Sequence, residues 1–166
     1  MIFVTAGMPP KGFERLVRAA DELAAGLGEL VMIQYGSSSY IPRHAEGFQW
    51  ASSQRMEQLT RQARVVVAHA AAGAIILALR AGSPIVVVPR RKAFGEHFDD
   101  HQVQLAEALE RAGRVVAVSD PTPVTLHVAL QRAAGLAPAP ANAVPLIQAL
   151  RQQLAIWELP KSSSSC

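Results

Sequence analysis

Apolar residues along this chain follow two rhythms. Short β-branched runs at Ile2–Thr5, 30–34, 65–68, Ile85–Val88 and 115–118 read as strands, the central ones covered on both faces. Between them lie segments of helical period. From about residue 12 to 25, Phe13, Leu16, Val17, Ala20, Leu23 and Ala24 make one stripe, and Glu14, Arg15, Arg18 and Asp21 fill the other face. Ser52 or Ser53 caps a helix reaching Ala63, with Met56 and Leu59 facing inward. A short helix over 75–81 is stopped by Gly82 and Pro84, another ends at Gly113, and Asp120 or Thr122 caps a third over 124–134. Residues 37–50 read as a loop in which 48–50 is the one candidate strand. Strand and helix alternate, which predicts an α/β fold: a Rossmann-like parallel sheet with helices on both faces. This domain spans 1–135. A stiff Pro/Ala linker over 136–142 follows, then an amphipathic helix over 143–158 and a tail, 159–166, with no reason to be ordered. That last helix, striped by Leu146, Leu150, Leu154 and Trp157, either folds back on its own sheet or docks on another chain.

The 166 residues suffice for one domain with a real core, and half are apolar with few aromatics. The net charge of +3 is mild. Apart from Arg90-Arg91-Lys92, the basic residues are scattered and not interleaved with aromatics, which argues against nucleic acid as a partner. The single cysteine, Cys166, allows no disulfide framework and no cysteine-based metal site, and fits a reducing compartment. The opening MIFVTAG lacks the features of a signal peptide. The uncharged run between Arg64 and Arg80 parses as strand plus helix and is short for a membrane span, so a soluble protein is expected.

The candidate chemistry gathers between residues 64 and 109. His69 stands at the tip of a buried strand, followed by small residues 70–74 and a helix. A helix start offers unpaired N–H groups and a partial positive charge, and Ala72, Gly73 and Ala74 let an anion approach the backbone. His69 can add a charge-assisted hydrogen bond. The same small residues also suit close packing of a helix on a sheet, so both readings stand. After the next strand, Arg90 opens a polar loop carrying Glu96, His97, Asp99, Asp100, His101 and Gln102. Gly7 and Gly36, at two further strand tips, serve either close approach to a ligand or ordinary turns.

These residues carry a resemblance. Phe3-Val4-Thr5-x-Gly7, Phe13-x-Arg15-Leu16-Val17-Arg18-Ala19-Ala20-Asp21, Gln34-x-Gly36 and Tyr40-x-Pro42 come first. Val88-Pro89-Arg90, then Gly95-Glu96-His97-x-Asp99-Asp100-His101-Gln102 and Leu105-Ala106, form the most specific run. Over about residues 2–118 the chain resembles the C-terminal domain of glycosyltransferase family 28. It looks most like the stand-alone small subunits of two-part glycosyltransferases, both the bacterial exopolysaccharide E-type subunits and the eukaryotic N-glycan UDP-GlcNAc transferase.

The resemblance implies the C-terminal half of a GT-B transferase, working as a hexosyltransferase that inverts the anomeric centre. It implies a UDP-sugar as substrate, no cofactor and no bound metal. The partner would be a membrane-anchored chain that holds a lipid-pyrophosphate-linked saccharide, supplies the catalytic base, and recruits this cytoplasmic subunit to the cytoplasmic face of the membrane. His69, Ala72, Gly73 and Ala74 would hold the donor diphosphate. Glu96, His97, His101 and Gln102 would face the donor sugar, with Glu96 and His97 alternatively orienting their loop. Gly7, Gly36 and Arg90 would lie in the cleft, and Arg90, Arg91 or Lys92 would suit a uronic carboxylate. The chain departs from the family where a glycine, a hydroxyl residue and a ribose-binding acid are replaced by Ala71, Ala74 and Leu77. This departure keeps a second expectation open, a degenerate, non-catalytic subunit that stabilises or tethers the true transferase.

Overall fold

A computed structural model describes residues 1–8 and 11–136. Six strands, β1 (Ile2–Thr5), β2 (Val31–Gln34), β3 (Glu46–Phe48), β4 (Val65–His69), β5 (Ile85–Val88) and β6 (Val116–Ala117), form one sheet in the order β3-β2-β1-β4-β5-β6. Every pairing is parallel, with Ile2 opposite both Val31 and Val65. The strand order reverses between β1 and β4, so a crevice opens beyond the C-terminal ends of these two strands.

Alternation along the strands builds two cores. Ile2, Val4, Ile33, Val65, Val67, Val86 and Val88 pack with α1 (Glu14–Ala24) and α5 (Pro123–Ala134) on one face. Phe3, Val66, Ala68, Ile85 and Val87 pack with α2 (Ser53–Gln62), α3 (Ala72–Ala81) and α4 (His101–Arg111) on the other. The expected Rossmann-like sheet, with helices on both faces, is the fold observed.

Local chemistry decides the ends. Ser52 caps α2 by accepting from Arg55 N, and Thr122 forms a capping box with Thr125 at α5. Three expectations are corrected. The third strand is Glu46–Phe48, earlier than residues 48–50, because its backbone pairs with Met32, Ile33 and Gln34 at the sheet edge, where no apolar signature is required. α3 begins at Ala72, so Gly73 and Ala74 are its first turn and not a preceding loop. Asp21, placed by periodicity on the polar face, is fully buried. Its carboxylate accepts from the Tyr40 hydroxyl and from the N–H groups of Arg43, His44 and Ala45, pinning the loop before β3. Burial raises the Asp21 pKa, but the bonds from Arg43, Ala45, His44 and Tyr40 outweigh it and hold the pKa below the ordinary value.

Among the described residues no helix is long and apolar enough to cross a membrane. The expected linker beyond Leu136, the helix over 143–158 and the tail lie outside the described residues.

Candidate functional site

The crevice at the β1/β4 switch point is built around His69. The residue ends β4 and is partly exposed, yet its Nδ1 is enclosed and has no hydrogen-bond partner. Burial, reinforced by the positive charge of Arg90, pushes its pKa down to about 4 despite the opposing Thr5 carbonyl. The ring is therefore neutral at pH 7, so in a hydrogen bond to an anion the charge would come from the acceptor and not from an imidazolium. Gly7 lies against the imidazole face. A Cβ there would fall 2.5 Å from the ring, and its φ of +89° is one that glycine adopts without strain. Gln34 holds this turn, with Oε1 accepting from Thr5 Oγ1 at 2.7 Å and Gly7 N at 3.2 Å. Gly36 packs against the same turn, since a Cβ there would meet the Gly7 carbonyl at 2.5 Å.

Behind His69, the chain turns through Ala70 and Ala71 into α3. The N-cap, Ala71, has no side chain to satisfy the first-turn amides, and nothing crowds Gly73. Ala71, Gly73 and Ala74 line a cavity of about 640 Å³ between α2 and α3. Ala72 belongs to the same turn without lining the cavity. Trp50, Ser53, Glu57, Thr60 and Arg80, none of them expected at a site from sequence, line it too, as does Leu77.

His69 also borders a second cavity, about 320 Å³, with Lys11, Arg90, Glu96, His97, Phe98 and Gln102. One imidazole thus stands between a larger space and a smaller one whose wall is richer in charged and polar side chains. Several expected sugar contacts have other duties here. Glu96 is clamped by Arg15, Nε to Oε1 at 2.8 Å and Nη2 to Oε2 at 3.0 Å, and also accepts from Arg91 N. It therefore positions its loop and has little capacity left for a hydroxyl. Arg90 is buried, and its guanidinium donates to the carbonyls of Ala6, Lys11, Gly12 and Glu96. It ties the wall together, and no terminal N–H is left for a carboxylate. Neither Arg91 nor Lys92 lines the cavity; Lys11 is the cation that does, beside the occupied Arg90. Gln102 accepts from Arg90 N through Oε1, which leaves its amide nitrogen for a ligand.

His101 does not line either cavity. Its Nδ1 bonds Asp99 Oδ1, and its ring meets His97 edge-on at 4.6 Å between centroids. It is His97 that shares a cavity with His69, its pKa lowered first by burial and then by neighbouring His101. The side chains of His97, Asp99 and His101 converge. Their ligand atoms lie within 4.8 Å of one another, the one group among the described residues able to hold a metal ion. As arranged, the Asp99 oxygen engages both imidazoles. Asp100 turns away to accept from Lys92 N.

Comparisons with known proteins agree with this architecture. UDP-N-acetylglucosamine transferase subunit ALG13 of Mus musculus is 28% identical over 144 residues, covering 77% of this chain and 12% of that protein, so the chain spans only a small part of that relative. The solution structure of ALG13 superposes with a TM-score of 0.58 at 22% identity, covering 90% of this chain and 93% of that one. The calicheamicin glycosyltransferase CalG4 superposes with a TM-score of 0.62 at 20% identity, over 93% of this chain and 38% of that one, showing the same fold. The glycosyltransferase family 28 C-terminal domain matches residues 1–145, and the chain belongs to that family.

Proposed function

We propose that this chain is the donor-binding subunit of a two-part, inverting, UDP-sugar-dependent hexosyltransferase that extends a lipid-linked saccharide in exopolysaccharide or capsule synthesis. The observation that carries the reading is the enclosed, unpartnered Nδ1 of His69 beside the uncapped start of α3, at the junction of two cavities of unequal size. A nucleoside diphosphate sugar has this division: a larger nucleoside, an anionic bridge and a smaller polar hexose. In this reading the diphosphate accepts from the α3 amides and from neutral His69, the nucleoside takes the 640 Å³ side, and the hexose meets Gln102, His97 and Lys11. An acceptor hydroxyl from the membrane-anchored partner attacks the anomeric carbon, its proton passing to a base on that partner. The bond from anomeric carbon to phosphate oxygen breaks, and preorganised N–H donors stabilise the charge on the departing diphosphate. Kinship with a protein named as a transferase subunit supports the two-part arrangement.

The hydrocarbon of Ile76 and Leu77 on the nucleoside side favours a second reading, a non-catalytic subunit that tethers the true transferase. Calorimetry separates the two. Micromolar UDP binding, by the chain alone or co-expressed with its partner, that is lost in His69→Ala supports donor binding. No UDP binding even in the complex overturns it.

A further inference from the structure

We propose that Glu57 of α2 is the residue that reads the ribose hydroxyls of the donor nucleotide, reaching across the cleft to them from the helix opposite α3. This rests on the donor-binding reading. Glu57 is the one carboxylate, among the described residues, lining the 640 Å³ cavity. Arg61 sits one turn away on α2, and both of its bonds fall on Glu57 Oε1, at 2.8 and 3.2 Å, so Oε2 remains available to accept. An ionised carboxylate only accepts hydrogen bonds, and it repels phosphate. Its complement in a cavity that admits a nucleotide is therefore a group rich in O–H donors, and a vicinal diol supplies two.

Position along the helices agrees. The diphosphate belongs at the first turn of α3, at Gly73 and Ala74. Leu77 lies one turn on, about 5 Å along the axis, the distance at which a ribose follows a diphosphate. Leu77 presents only hydrocarbon there. Glu57 is likewise in the second turn of its helix, counted from the Ser52 cap, and lines the same space. Trp50, at the rim on the Ser52 side, leaves an aromatic face for the base.

The test compares UDP with 2′,3′-dideoxy-UDP by calorimetry, using the full chain with its co-expressed partner. The wild-type protein is expected to prefer UDP by roughly 10-fold or more, the equivalent of one charged hydrogen bond. Glu57→Gln, an exposed and conservative change, should lower UDP affinity by a similar factor, leave dideoxy-UDP unchanged and so erase the preference. Arg61→Met should retain the preference, which separates ribose contact from loss of the surface ion pair. If the wild-type protein binds neither nucleotide, the donor site and this proposal both fall. If it binds UDP and Glu57→Gln keeps the full ribose preference, the Glu57 assignment alone is overturned.

Discussion

Replacing His69 by Gln should change how the stability of the fold depends on pH. In the folded chain the imidazole pKa is about 4, against 6.5 for an ordinary histidine. Between those values the unfolded chain binds a proton that the folded chain does not, so stability falls as pH falls across that window. The full contribution is on the order of 3 kcal/mol, most of it already lost at pH 4.5 relative to pH 7.5. Other groups also titrate in this range, but they do so in both proteins and largely cancel in the difference. Urea unfolding of wild type and His69→Gln at pH 7.5 and 4.5 gives that difference directly. The variant should gain roughly 2–3 kcal/mol on the wild type on moving to the lower pH, whatever fixed packing cost the substitution carries. A gap between the two proteins constant within about 0.5 kcal/mol would mean that the ring titrates normally, and the picture of a neutral donor facing an anion site would be wrong.

Asp21→Asn should cost about 3 kcal/mol, because an amide cannot accept from three backbone N–H groups and a phenol as a carboxylate does; a loss below about 1 kcal/mol in urea unfolding would contradict this. Gly7→Ala places a methyl against the His69 ring and strains a backbone at φ +89°, so about 1–3 kcal/mol of stability and most UDP affinity should be lost. Wild-type behaviour in both measurements would refute it. Arg90→Lys should destabilise by about 3 kcal/mol, since one ammonium cannot serve the four carbonyls that the planar guanidinium reaches, and a thermal midpoint within 2 °C or so of wild type would refute that.

What was legible in the sequence follows from how local each signal is. Buried parallel strands need continuous apolar runs, and Val65–His69 and Ile85–Val88 stood out for that reason. β3, exposed at the sheet edge with Glu46 and Gly47, carries no such run and was displaced. The start of α3 has no capping side chain, so nothing marked Ala72 as its first residue. Asp21 follows helical spacing like any surface residue, and only the distant loop carrying Tyr40 and Arg43 makes it a buried hub. The site divides in the same way. His69, Gly73 and Ala74 are near one another in sequence and line one cavity. Trp50 and Glu57 look like a loop aromatic and a helix surface, and line the cavity only because α2 packs beside α3. Glu96 and Arg90 sit in the most specific motif, yet their side chains face inward to hold the loops. A motif marks residues that must be kept without saying whether they touch the substrate.

The buried guanidinium at position 90 also constrains how this domain can change. By holding the carbonyls of Ala6, Lys11 and Gly12 together with that of Glu96, it makes the two rims of the smaller cavity a single mechanical unit. Transplanting either rim from a relative to alter what the cavity admits would leave carbonyls facing a knot shaped for other neighbours. Only exchanging both rims as a matched cassette, with the arginine between them, would preserve the seat.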